Sequence, residues 1–264
     1  MEKDIKILIV PDVHGRDFWR EPVKKTLEET DAKIVFLGDY IDPYMEEFFK
    51  RMEDDTNFDC QTYTIEVLKD IIDLKHKFSD RIILLQGNHD AGCSIGRDVC
   101  QARRDYANAN MISKIFEENW SDFQLAYEKT INKQKFVFSH AGISMHFMKF
   151  YYEINKKSKV VDYLNNIWLA KDWRMLLYLG AYDSYRGYGG TTWASPIWAD
   201  IRQMIHLDKK NTVGSFQIVG HTQLSTDGEP LISKYIGDFD CRECFYINSK
   251  GKILNYKTDK IVRD

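Results

Sequence analysis

Five times along the 264-residue chain, a short apolar and partly β-branched run stops abruptly at residues that can coordinate or ionise. Ile7 to Val10 gives way to Pro11-Asp12-Val13-His14-Gly15, and Ile34 to Leu37 to Gly38-Asp39-Tyr40-Ile41-Asp42. Ile82 to Leu85 leads into Gln86-Gly87-Asn88-His89-Asp90, Phe136 to Phe138 into Ser139-His140-Ala141-Gly142, and Phe216 to Val219 into Gly220-His221-Thr222. Apolar runs this short, bounded by turn residues, are the pattern of buried strands. Open α/β sheets collect their ligands at the carboxyl ends of strands, so five such tips predict one shared pocket. Of the seven histidines, His14, His89, His140 and His221 stand at these tips. One alone would ordinarily be structural; four in the same position relative to a strand are not.

A pocket that draws on residues from 12 to 221 needs nearly the whole chain. This predicts a single domain over 1–264, with a helical and aromatic insertion at about 143–214. The length suffices for a full core. A net charge of −3 gives no basic footprint for nucleic acid as a general partner. No apolar stretch is long enough for a signal peptide or a membrane span, so the default expectation is a cytoplasmic protein with no membrane partner. Five cysteines, an odd number without framework spacing, suit a reducing compartment. Cys241-Arg242-Glu243-Cys244 is a lone CxxC without a second pair, which favours packing over a zinc site.

The remaining pattern predicts a helix from Asp17 to Glu29 between the first two strands, which makes a parallel right-handed start. The charged and aromatic segment 43–59 predicts a loop or short helical excursion. Apolar spacing then predicts helices over about 61–75, 111–120, 145–154 and 160–169. Asn132-Lys133 marks a hairpin turn between 125–131 and 135–139, and Ser249-Lys250-Gly251 marks a terminal hairpin. Ser195-Pro196 has the form of a helix start running to about His206. The change from strands separated by helices to adjacent strands predicts a mixed sheet or two facing sheets. The aromatics of 178–198 would either pack as an added cap or face a substrate.

Asp12, His14, Asp39, Asn88, His140 and His221 together offer two carboxylates, three imidazoles and one amide carbonyl. That is more than one four-coordinate structural zinc uses, and it suits two divalent ions with open positions. Two ions about 3.5 to 4 Å apart activate water as hydroxide and hold a phosphoryl oxygen between them, which points to phosphate ester hydrolysis.

In order and spacing these five clusters resemble the motifs of the calcineurin-like metallophosphoesterases, most closely those of the phosphoprotein phosphatase and diadenosine tetraphosphatase branch. The resemblance spans residues 12 to 222. It implies an α/β fold of two facing mixed β-sheets flanked by helices, in four layers. It implies a first metal on Asp12, His14 and Asp39, and a second on Asp39, Asn88, His140 and His221. His89 would be the general acid, oriented by Asp42, and Asp90 would support the site from behind. The substrate would be a phosphorylated molecule, a phosphomonoester or phosphoanhydride of a phosphoprotein or nucleotide. Manganese is the expected ion in vitro, and iron, zinc, nickel or cobalt would also accept these ligands.

The chain departs from the branch where its phosphate-clamping arginines usually stand: Pro43-Tyr44 replaces Arg-Gly in the second motif, and Gln86 replaces the arginine before Gly-Asn-His. Bidentate arginine contacts to phosphate are strong, so other arginines must take their place. Arg16, Arg97, Arg103, Arg186 and Arg202 are the candidates, with Arg97 and Arg186 preferred. Gln223 stands where many phosphodiesterase-type relatives have a second metal-binding histidine, which leans towards a phosphatase. The competing readings are a metal-dependent phosphodiesterase or nuclease, and a non-catalytic scaffold of the same fold. Nothing in the sequence speaks to oligomeric state.

Overall fold

The computed structural model describes residues 3–95, 105–172, 193–223 and 228–264. Strands β1 (Ile7–Val10), β2 (Lys33–Phe36), β3 (Ile82–Leu85) and β4 (Phe123–Gln124) make up four of the seven strands of one sheet. A second sheet is built from β5 (Ala126–Ile131), β6 (Gln134–Ser139), β7 (Phe216–Val219), β8 (Leu231–Ile232) and β9 (Ile236–Asp238). The chain then returns to the first sheet with β10 (Phe245–Ile247), β11 (Ile253–Asn255) and β12 (Ile261–Arg263). The strand orders are β12-β11-β10-β1-β2-β3-β4 and β5-β6-β7-β9-β8.

Strand side chains alternate between faces, and here both faces are buried. Ile7, Ile9, Val35, Leu37 and Leu85 point to one side and meet Phe136, Phe138, Phe216 and Ile218 of the other sheet. Leu8, Val10, Ile34, Phe36 and Leu84 point to the opposite side, where helices α1 (Arg20–Glu29) and α3 (Cys60–Lys77) cover them with Val23, Ile65, Leu68 and Ile71. The result is helix on sheet on sheet on helix, the mixed α/β sandwich that the sequence predicts. Helix α3 is well specified locally: Asp59 accepts from the Gln61 and Thr62 N–H groups, and Lys75, His76 and Lys77 occupy the last turn.

Strands β1, β2 and β3 are parallel, as are β6, β7 and β9. Their carboxyl ends therefore gather at one edge of the sandwich. A parallel pair needs a long connection. The one from β6 to β7 is the segment predicted as an insertion, and its helices α6 (Met145–Tyr151) and α7 (Val160–Leu169) supply Met145, Met148, Val160, Leu164 and Trp168 to the core. These parts pack as an outer layer.

Several boundaries differ from expectation. Helix α1 begins at Arg20 rather than Asp17, without a side-chain cap. The segment 43–59 holds a 3-10 turn at Met45–Glu47 and helix α2 (Phe49–Asp54). The third strand tip continues directly into helix α4 (Asn88–Ser94), and α5 spans Ala109–Glu118. No helix starts at Ser195-Pro196: the Pro196 carbonyl is taken by the Ala141 N–H, 2.8 Å away, and Asp200 instead caps the short helix α8 (Ile201–Met204). Asn132 and Lys133, both at positive φ, make the predicted hairpin turn. Among the described residues no helix is long and apolar enough to cross a membrane.

Candidate metal centre

Four residues at the strand tips, His14, Asp39, Asp42 and His221, hold φ values of 46°, 52°, 59° and 76°. The left-handed region costs a non-glycine residue roughly 1–2 kcal/mol, and such strain persists only where the surroundings fix it. Here the loops fasten one another. The Asp39 carbonyl accepts from Val13 and His14 N–H at 3.1 and 2.7 Å. The buried Asp90 carboxylate accepts from the N–H groups of Asp39 (2.7 Å), Tyr40 (2.8 Å) and Gly87 (3.1 Å), tying the second tip to the third. Two glycines are required by close approach: a Cβ on Gly87 would stand 2.1 Å from Asp39 Oδ1, and one on Gly220 would stand 2.0 Å from Asp12 Oδ1.

This frame aims a set of acceptor atoms at one another. His14 donates from Nδ1 to the carbonyls of Ile41 and Asp42, at 2.8 and 3.0 Å, and His140 donates from Nδ1 to the carbonyl of Leu37 at 2.9 Å. Both tautomers are thereby fixed with the Nε2 lone pair turned inwards. Asp39 Oδ2 lies 3.5 Å from each of these Nε2 atoms, midway between the two imidazoles. On the His140 side, Asn88 Oδ1 lies 2.9 Å from His140 Nε2 and 2.7 Å from His221 Nδ1, and the two rings approach to 3.1 Å. With His140 Nε2 and Asn88 Oδ1 both acceptors, either a proton on His221 Nδ1 or a cation must lie among the three atoms. His14-Asp39-His89 and Asp39-His140-His221 are the groups of three that fit a metal ion among the described residues. The donor set thus suits two divalent ions with Asp39 between them.

His89 occupies a different place. Its Nδ1 donates to Asp42 Oδ2 at 2.8 Å, and the other Asp42 oxygen accepts from Asp105 N–H at 3.2 Å. The ring therefore turns Nε2 towards the centre, 4.0 Å from Asp39 Oδ2. A cavity of about 260 Å³ opens over the centre, lined by His14, Asp39, Tyr44, His89, Arg202, His221, Thr222 and Gln223.

The electrostatics divide the carboxylates. Burial raises the Asp39 carboxyl, but His140, His89 and His14 outweigh it and bring the group below its ordinary range. Asp12 is pushed well above, by burial first and then by Asp240, Asp39 and Asp238. Burial likewise depresses His14 strongly, which keeps it a neutral donor. Asp240 is raised to about 6, chiefly by burial. Beside these acids, Arg16 and Arg242 both pair with Glu47.

The structure thus brings His14, Asp39, Asn88, His89, His140 and His221 to one point, with Asp42 behind His89. Asp12 lies alongside, both oxygens accepting from His221 N–H at 3.0 and 3.1 Å. Arg97, Arg103 and Arg186 fall outside the described residues. Of the other arginines, Arg16 is buried against Glu47, whereas Arg202 lines the cavity with its guanidinium held by Asp200 at 2.8 and 2.5 Å. Gln86, in the place of the usual arginine, is buried and donates to Ser94 Oγ at 3.0 Å. Sequence reasoning overlooked Asp238 and Asp240, yet Ile236-Gly237-Asp238-Phe239-Asp240 repeats the apolar-then-acid pattern of the other tips. It is a sixth strand end at the same edge.

The family model described as calcineurin-like phosphoesterase matches residues 5–225. No curated protein sequence matches the chain. Among solved structures, a cold-active protein-tyrosine phosphatase of a psychrophilic Shewanella sp. superimposes with a TM-score of 0.60 at 17% identity, covering 99% of this chain and 81% of that one. A protein serine/threonine phosphatase from Saccharomyces cerevisiae, with similarity to human phosphatase PP5, gives 0.50 at 13% identity, covering 99% and 79%. At such identities the likeness is one of fold.

Proposed function

The chain belongs to the calcineurin-like phosphoesterase family and is a metal-dependent hydrolase of phosphoric esters; from this we propose that it is a dinuclear phosphatase removing a terminal phosphoryl group from a phosphomonoester or phosphoanhydride. Asp12, His14 and Asp39 would hold one ion, and Asp39, Asn88, His140 and His221 would hold the other. Two divalent ions so placed supply Lewis acidity towards the phosphoryl oxygens and lower the pKa of water.

The observation that carries the reading is the His89–Asp42 pair beside these ligands. His89 delivers the proton on Nε2 to the leaving-group oxygen as its bond to phosphorus breaks, and Asp42 keeps the ring oriented and stabilises its charged form. Arg202 lines the cavity with Nε and Nη2 held by Asp200 and would offer the phosphate its Nη1 edge, a role the sequence offered to five arginines. A cavity of about 260 Å³ is smaller than the usual 300–1,000 Å³ for a whole small ligand. It suits a phosphoryl end whose remainder lies outside, as in a monoester of a larger molecule.

The test compares p-nitrophenyl phosphate with bis-p-nitrophenyl phosphate, using metal-stripped protein with manganese added back. The monoester should be turned over in a metal-dependent way. His89→Ala should lower kcat by about a hundredfold or more with metal content unchanged. Preference for the diester, or turnover that ignores metal, would sink the proposal.

A further inference from the structure

We propose that Tyr44 is a specificity-determining residue that favours aryl phosphomonoesters, substrates with a planar aromatic group on the ester oxygen; this deepens the dinuclear phosphatase reading above and rests on it. A ring stands here where the second motif otherwise continues with glycine. Among the described residues lining the cavity over the metal ligands, Tyr44 alone brings a carbon ring. The others bring imidazoles, a carboxylate, a guanidinium, a hydroxyl and an amide. The ring is held from several sides. It meets the His14 ring edge to face, with centroids 5.0 Å apart at 81°, and the Arg16 guanidinium carbon lies 5.3 Å from its centroid.

Its backbone is fixed as well. Pro43 restricts the chain before it, and the Glu47 N–H donates to the Tyr44 carbonyl at 3.0 Å. Glu47 accepts from Arg16 Nε at 2.5 Å and Nη2 at 3.1 Å and also pairs with Arg242, while the buried Phe48 stacks on Phe58 with centroids 6.1 Å apart. A wall fixed before the ligand arrives has little ordering entropy left to lose. His89 packs on the same imidazole as Tyr44, with centroids 5.0 Å apart at 86°, so the proton donor and the aromatic wall flank one ring and line one cavity. The group that takes the proton from His89 is the leaving-group oxygen. The cavity of about 260 Å³ holds the phosphoryl end, and what that oxygen carries meets the half-buried Tyr44 on its way out. Contact between two aromatic rings adds about twofold to tenfold in affinity beyond the area they bury, which an alkyl group does not gain.

Benzylphosphonate and propylphosphonate carry a methylene in place of the ester oxygen, so leaving-group acidity plays no part in how they bind. Their inhibition of p-nitrophenyl phosphate hydrolysis should be measured with manganese for the wild type, Tyr44→Phe and Tyr44→Leu. The wild type should bind benzylphosphonate at least about threefold more tightly than propylphosphonate. Tyr44→Phe should keep that ratio, and Tyr44→Leu should lower it by about threefold or more. A ratio that Tyr44→Leu leaves unchanged, or a wild type without aryl preference, would overturn the inference and leave the phosphatase reading standing. No metal-dependent turnover by the wild type would overturn both. If Tyr44→Leu does not fold, Tyr44→Met also fills the space beside His14 without a ring, and an unchanged ratio there overturns the inference equally. Comparing kcat/KM for phenyl phosphate with that for an aryl phosphate borne on a short peptide then tells a small-molecule substrate from a polypeptide one; a preference for either upholds the aryl reading.

Discussion

The two halves of the centre are built on different chemistry. Around Asn88, His140 and His221 the donors are an amide and two imidazoles, already within 2.7 to 3.1 Å of one another. Alongside lie Asp12 and Asp240, carboxyls that burial, before any neighbouring charge, holds above their ordinary proton affinity. One half is assembled by fixed tautomers and tight loops. The other gathers carboxyls whose charged form burial opposes. The first should accept its metal with little rearrangement, whereas the second should couple metal binding to protons and to stability.

Asp39 belongs to both halves, so Asp39→Asn is the change that erases the distinction. It should release both ions and lower kcat by at least about a thousandfold, read from metal content and turnover together. Retention of either ion would mean that the halves are more independent than their shared oxygen suggests.

Proton competition separates the halves more gently. Asp12 and Asp240 bind protons more tightly in the folded chain than in the unfolded one, so stability from them is lost as pH rises through their folded values. Metal-free protein should therefore gain Tm as the pH falls through about 6, the folded value of Asp240. Below that, His14, whose proton affinity burial lowers, works in the opposite direction, since the unfolded chain then takes up the proton more readily. With saturating manganese the dependence should reverse, because ions displace those protons. A metal-free Tm that is flat over this range would mean that these two carboxyls carry no raised proton affinity.

The smallest expected effect is steric. Gly220→Ala places a methyl group 2.0 Å from Asp12 Oδ1 and should cost about 1–3 kcal/mol in denaturant unfolding, with the loss of metal affinity confined to the carboxylate half. Equal weakening of both ions would show that the glycine serves the whole edge.

What the sequence made legible was local. Each of the five recognised tips combines a strand's apolar run with an adjacent glycine or polar stop, and these need no knowledge of the rest of the chain. The sixth tip uses the same pattern, but β9 has only three residues and its strand signal is correspondingly weak. The edge strand Ile261–Arg263 is partly exposed and left no apolar signature. Ser195-Pro196 carries the local mark of a helix start, yet a hydrogen bond from Ala141, over fifty positions earlier, claims the Pro196 carbonyl. That Arg202 lines the cavity was illegible for a related reason: it gets there through the long path from β6 to β7, a matter of topology that spacing does not encode, while Arg97, Arg103 and Arg186 lie outside the described residues.

That path leaves β6 at one site histidine, His140, and rejoins the sheet at β7, whose far end leads into another, His221. Both are anchored by parallel neighbours within a sheet, so the span between them is a tether with fixed ends and free length. Lengthening a connection costs little conformational entropy. Exchanging its outer portion for that of another protein is therefore a way to change what approaches the centre without moving the atoms that would do the chemistry.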